Sequence, residues 1–210
     1  KEFLTLSPAF TQAAVEATND AVGQEILSKT LLESPWTLLS ILLVHNGLFH
    51  FLANMITFYF FGTAVERAMG GMKMLKIYLI AGIVSALGYI GFRNLLYYMF
   101  GAGYNGAALP PAVGASGAVI AMVGLTAMLY PEAEVLLYFV VPMKIKTAVK
   151  AFAALETFSL LTKLSGIYVP VLANLAASAH LTGLAVGLYF GYKLKDRYGR
   201  KSSVFNPMGY

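Results

Sequence analysis

Ser116 sits in the run Gly114-Ala115-Ser116-Gly117, and His180 is followed at three-residue and seven-residue spacing by Gly183 and Gly187. A serine hydroxyl and an imidazole are the working parts of acyl transfer. The ring takes the hydroxyl proton as the oxygen attacks, then returns it to the leaving amine. The apolar residues after Gly117 read as a helix that begins near Ser116. Its first backbone N–H groups are unpaired and the positive end of its dipole is local, so a developing oxyanion would find donors there. His50 and Asn54, four residues apart, share a helix face and offer side-chain donors to the same charge. His45 is five residues before His50 and falls on another face.

Each of these signals also has a plainer reading. GxSG alone more often marks a packing site, because small residues are routine where apolar helices touch. A lone histidine inside a helix bundle serves equally as a hydrogen bond between helices, and so do His50 and Asn54. His45 and His50 lack the i, i+4 spacing of a helical metal-ligand pair, so no metal is expected. Gly183 and Gly187 form a small-xxx-small seam that brings two helices close. If the partner helix is the one that starts at Ser116, His180 meets Ser116. No Asp or Glu lies near His180 in sequence, so a serine–histidine dyad is expected rather than a triad.

The elements that must position these groups are membrane spans. Hydrophobic residues make up 58% of the 210 and charged residues only 12%, about half the share usual in a soluble domain. That composition excludes a disordered chain, a nucleic-acid arm and an ordinary soluble enzyme. With no cysteine, disulfides, thiolate metal sites and a cysteine nucleophile are excluded too. A spanning helix needs about 20 mostly apolar residues. Five candidates occur, at about Trp36–Ala64, Leu75–Phe92, Gly114–Tyr130, Thr147–Leu161 and Tyr168–Tyr192. The fourth is short and holds one acid, Glu156. Val135–Val141 is too short to span and reads as an interfacial link before Pro142. Glu66, bracketed by Gly62 and Gly70, reads as a structural group ending the first span. Trp36 reads as an interface anchor.

Eleven of the fifteen basic residues fall on one side of these spans: Arg67, Lys73 and Lys76, then Lys144, Lys146 and Lys150, then the five after Tyr192. The net charge of +5 is therefore explained by the positive-inside rule, without nucleic acid. That side is expected to be cytoplasmic, with the C-terminus inside and the N-terminus outside. An exported N-terminus without a signal points to a further span upstream of Lys1. The expected organisation is an external membrane-surface loop region at 1–35, a membrane core at 36–192 and a basic cytoplasmic tail at 193–210.

Taken jointly, His45-x4-His50-x3-Asn54-Met55, Gly62-x3-Glu66-x3-Gly70, Gly114-Ala-Ser116-Gly117 and Ala179-His180-x2-Gly183-x3-Gly187 resemble the rhomboid intramembrane serine proteases in order and spacing. The match runs over about residues 34–190. The resemblance implies an all-α polytopic membrane bundle, five spans visible here and six in the full protein. It implies Ser116 as nucleophile and His180 as its base. His50, Asn54 and the Ser116 backbone N–H would stabilise the oxyanion, with Gly114 and Gly117 shaping the site. It implies no cofactor. The partners would be transmembrane protein substrates and the lipid bilayer. The location would be a cell membrane, with the site opening to the extracytoplasmic side. The fourth span resembles the mobile helix beside which substrate enters.

Two positions depart from the family pattern. Trp36-Thr37 stands where many members have Trp-Arg, and Ile120 stands where many carry an aromatic that stacks on the catalytic histidine. A substrate helix must unwind before attack, so small residues are expected around its scissile bond. The alternatives are a catalytically inactive rhomboid-like protein that binds membrane clients, and a small transporter using His50 and His180 as a proton relay. The transporter reading lacks an internal repeat.

Overall fold

The computed structural model describes residues 35–100, 114–137, 141–167, 169, 172 and 176–198. The expectations for the 1–34 stretch and for the end of the tail lie outside the described residues.

The first expected span is broken in two. A short helix α1 (Thr37–Ser40) runs into a 3-10 turn (Ile41–Leu43), and the long helix α2 starts only at Leu48 and ends at Met69. The break lies at Val44–Gly47, where Val44 is extended and Gly47 has φ +88°. A left-handed backbone of that kind ends helical continuity, and only glycine adopts it freely. Ile41 and Leu42 fold back and bury in a cluster with Ala86, Tyr89, Ile90, Ala118 and Ala179.

Gly70 separates α2 from α3 (Gly71–Phe100). Among the described residues, α2 and α3 are the two helices long and apolar enough to cross a membrane by length and composition. Helix α4 (Ser116–Leu129) is shorter, 14 residues, and Pro131 follows directly after its C-cap Tyr130. Ten of the 14 residues of α4 are buried, because α2, α3 and the two long helices that follow in the chain all pack against it. A helix that is apolar all round belongs at the centre of a bundle.

The expected interfacial link is a hairpin instead. Strands β1 (Glu134–Leu137) and β2 (Val141–Lys144) pair antiparallel, with Leu136 opposite Pro142. It hands the chain to α5 (Ile145–Leu164), whose first N–H donates to the Ala133 carbonyl at 2.8 Å. Helix α6 (Ala177–Tyr198) begins later than the expected fifth span and runs further. Lys195 and Arg197 in its last turn suit the negative end of a helix dipole. Lys73 at the start of α3 donates to the Tyr198 hydroxyl at 2.6 Å, so these two helix ends share one end of the bundle.

The core is continuous from α2 through α4 to α6. Val65, Ala81, Met122 and Leu125 are fully buried at its centre. Large apolar side chains such as Phe49, Tyr59, Leu155 and Phe158 point outward. An exterior of that kind suits hydrocarbon better than water.

Candidate active site

Helices α4 and α6 cross with almost no side chain between them. A Cβ on Gly183 would lie 2.1 Å from the Gly117 carbonyl oxygen, and one on Gly187 would lie 2.1 Å from that of Ala121. Backbone therefore rests on backbone over two turns. Ser85 of α3, whose hydroxyl donates to the Ala81 carbonyl at 2.6 Å, closes the third side of this junction.

That seam sets His180 beside the first residue of α4. His180 Nε2 lies 2.9 Å from Ser116 Oγ. The loop before Ser116 is held by the Gly114 N–H, which donates to the Ile41 carbonyl at 3.1 Å. Gly114 has φ +104°, a conformation that strains any residue with a side chain. A Cβ there would also strike the His50 ring, 2.6 Å from Cε1 and 3.1 Å from Nε2. The backbone that leads into Ser116 therefore rests against the His50 ring at Gly114.

His50 is oriented by its own helix start. The Asn46 N–H donates to His50 Nδ1 at 3.2 Å. A neutral ring that accepts at Nδ1 carries its proton on Nε2, the nitrogen nearest Gly114. Asn54 is buried, and its amide donates to the His50 carbonyl at 2.8 Å within α2. One of its two amide protons is used in that way. His45 does not point elsewhere, as its spacing from His50 suggested. It precedes the helix, and the Val44–Gly47 loop lays its ring edge-on against His50, centroids 5.4 Å apart. Helical spacing rules do not apply across a helix start.

Sequence reasoning missed two residues, both on α5. Glu156 Oε1 lies 2.8 Å from His180 Nδ1, and Glu156 is only 1% exposed. The dyad expected from sequence therefore has an acid on its far side. Phe152, one turn earlier on the same face, sits 6.0 Å from the imidazole, centroid to centroid. Ile120, half-buried, packs into the same apolar cluster as Phe152. An aromatic against His180 comes from α5 rather than from position 120.

The sequence model of the Rhomboid domain family matches residues 32–197. The chain belongs to the rhomboid family. It is 30% identical to RHOMBOID-like protein 1 of Arabidopsis thaliana, over 83% of this chain and 39% of that protein. It is 32% identical to the mitochondrial RHOMBOID-like protein 12 of the same plant, over 71% and 44%. With Rhomboid protease GlpG of Haemophilus influenzae it shares 30% identity over 80% of this chain and 73% of the protease. The chain spans between two fifths and one half of the length of the Arabidopsis relatives. As a rhomboid-type helical bundle it is a membrane protein, in a family that includes intramembrane proteases.

Proposed function

We propose that this rhomboid is an intramembrane serine endopeptidase. The observation that carries the reading is the 2.9 Å contact between His180 Nε2 and Ser116 Oγ at the first residue of a buried helix. Ser116 attacks the scissile carbonyl as its proton passes to His180 Nε2. The carbonyl oxygen becomes an oxyanion, met by the Ser116 N–H, by His50 Nε2–H and by the second amide proton of Asn54. His180 then gives the proton to the leaving amine, and an acyl-serine remains. Water repeats the sequence, with His180 taking its proton and returning it to Ser116 Oγ.

Helix length supports a submerged nucleophile. The 14 residues of α4 span about 21 Å at 1.5 Å per residue. The hydrocarbon core is about 30 Å thick. With the lysine-rich end at the cytoplasmic surface, Ser116 lies roughly 10 Å below the opposite surface. The site would open to the extracytoplasmic side, with the C-terminus cytoplasmic. A cavity of about 30 Å³ is lined by Ser116, Ser85, Ala118 and Ala179. It has room for one or two waters or a methyl-sized group. That size supports transmembrane substrates with small residues at the cleaved bond.

The test is labelling by a fluorophosphonate probe in detergent and in liposomes. Wild-type protein is expected to label, and Ser116→Ala, His180→Ala and heat-denatured protein are expected not to. Well-folded protein that never labels overturns the reading and favours a client-binding relative without protease activity.

A further inference from the structure

We propose that Glu156 is a positioning residue which completes a Ser116–His180–Glu156 chain, delivered to the site by α5. The inference rests on the protease reading above. A carboxylate in an apolar interior is costly unless it is hydrogen-bonded to a partner. Glu156 Oε1 has one such partner, His180 Nδ1, while its buried Oε2 has none among the described residues. The acid is therefore placed for the imidazole rather than for a structural network of its own.

The chemistry follows from which proton goes where. With Nδ1–H donating to the carboxylate, the lone pair is on Nε2, where it faces the Ser116 hydroxyl. When that ring accepts the serine proton it becomes an imidazolium, and the adjacent carboxylate stabilises the new charge. Glu156 acts through the ring and touches no reacting atom.

Placement on α5 adds a consequence. Glu156 and Phe152, four residues apart, meet His180 from one helix face. The tautomer and tilt of the base then depend on where α5 stands, and outward displacement of α5 would disarm the serine without moving it.

The test compares Glu156→Gln and Glu156→Asp with wild type on a transmembrane substrate, alongside probe labelling. Glu156→Gln is expected to lower kcat and the labelling rate on the order of 10⁴-fold, as loss of the third member does in serine proteases. KM and Tm should stay close to wild type, and Asp should recover part of the rate. Gln within threefold of wild type in labelling rate overturns the proposal, and so does a loss of Tm that accounts for the lost rate. A second readout needs no turnover. In Ser116→Ala protein, proton NMR should show a far-downfield His180 Nδ1–H resonance that disappears in Ser116→Ala/Glu156→Gln. Its absence from Ser116→Ala protein overturns the Glu156–His180 bond. Wild-type protein that fails to label while the resonance is present defeats the protease reading alone.

Discussion

The α4–α6 contact and the α5–α6 contact reach His180 from different sides and are built from different materials. At α4–α6, Gly183 and Gly187 let backbone touch backbone, and at those two positions no side chain of either helix lies between to change rotamer and relieve pressure. At α5–α6, contact runs through side chains, with Phe152 and Glu156 against the imidazole and Val149 and Leu184 in the cluster beside them. The first contact fixes the distance from His180 to Ser116, the base and nucleophile proposed above. The second fixes how the ring is turned. Separating the two lets one helix be rigid with respect to Ser116 while another adjusts the base.

The largest expected effect comes from breaking the rigid contact. Gly183→Ala drives a methyl into the Gly117 carbonyl, and only helix separation relieves it. Overpacking of this kind costs about 1–3 kcal/mol, and more where backbone must move. Tm should fall by several degrees and probe labelling should vanish with it, in detergent and in liposomes alike. A variant with wild-type Tm and labelling would show that the α4–α6 distance is adjustable after all.

Loosening the other contact should separate rate from stability. Phe152→Ala removes the ring beside His180 while leaving Glu156 in place, so kcat should fall about tenfold, roughly 1.4 kcal/mol of barrier, with a smaller relative change in KM. Ile120 borders the same cluster. Ile120→Phe in the Phe152→Ala background should recover much of the rate, a coupling that a double-mutant cycle measures directly. Independent, additive losses would mean that the two positions do not serve the same ring.

How much of this was readable in advance depended on whether a relation was local. Ser116, Gly114 and the Gly183–Gly187 seam lie within single helices or their starts, where spacing fixes geometry, and the small residues of the seam named it as a packing face. His45 was misread because the helix begins at Leu48, so its periodicity could not extend back across Gly47. Val135–Val141 reads as apolar and short, but its pairing partner lies in the next few residues, and the hairpin emerges only when both strands are seen. Glu156 is 24 residues from His180, and their meeting depends on the rotation of α5 about its own axis, which a largely apolar helix does not reveal. One signal was present: a single acid within an apolar span requires a partner.

The smallest expected effect tests whether α5 is positioned from its other end. At the hairpin, Glu132 accepts from Lys144 at 2.7 Å and from Lys146, which bracket the start of α5. Hydrogen bonds from the two lysines hold the Glu132 carboxyl down at about 2, below its ordinary 4.5. A depressed carboxylate stabilises the fold above its unfolded value and loses that contribution as pH falls from 4.5 towards 2. The group is solvent-exposed, where ion pairs contribute little and salt screens them. Glu132→Gln should therefore leave kcat within about twofold and lower Tm slightly at pH 7. The Tm difference from wild type should shrink as pH falls through that window and in high salt. A substantial loss of kcat at unchanged Tm would place control of α5 at the hairpin rather than at the imidazole, because a weak surface pair has no other route to Glu156, ten to twelve residues further along the chain.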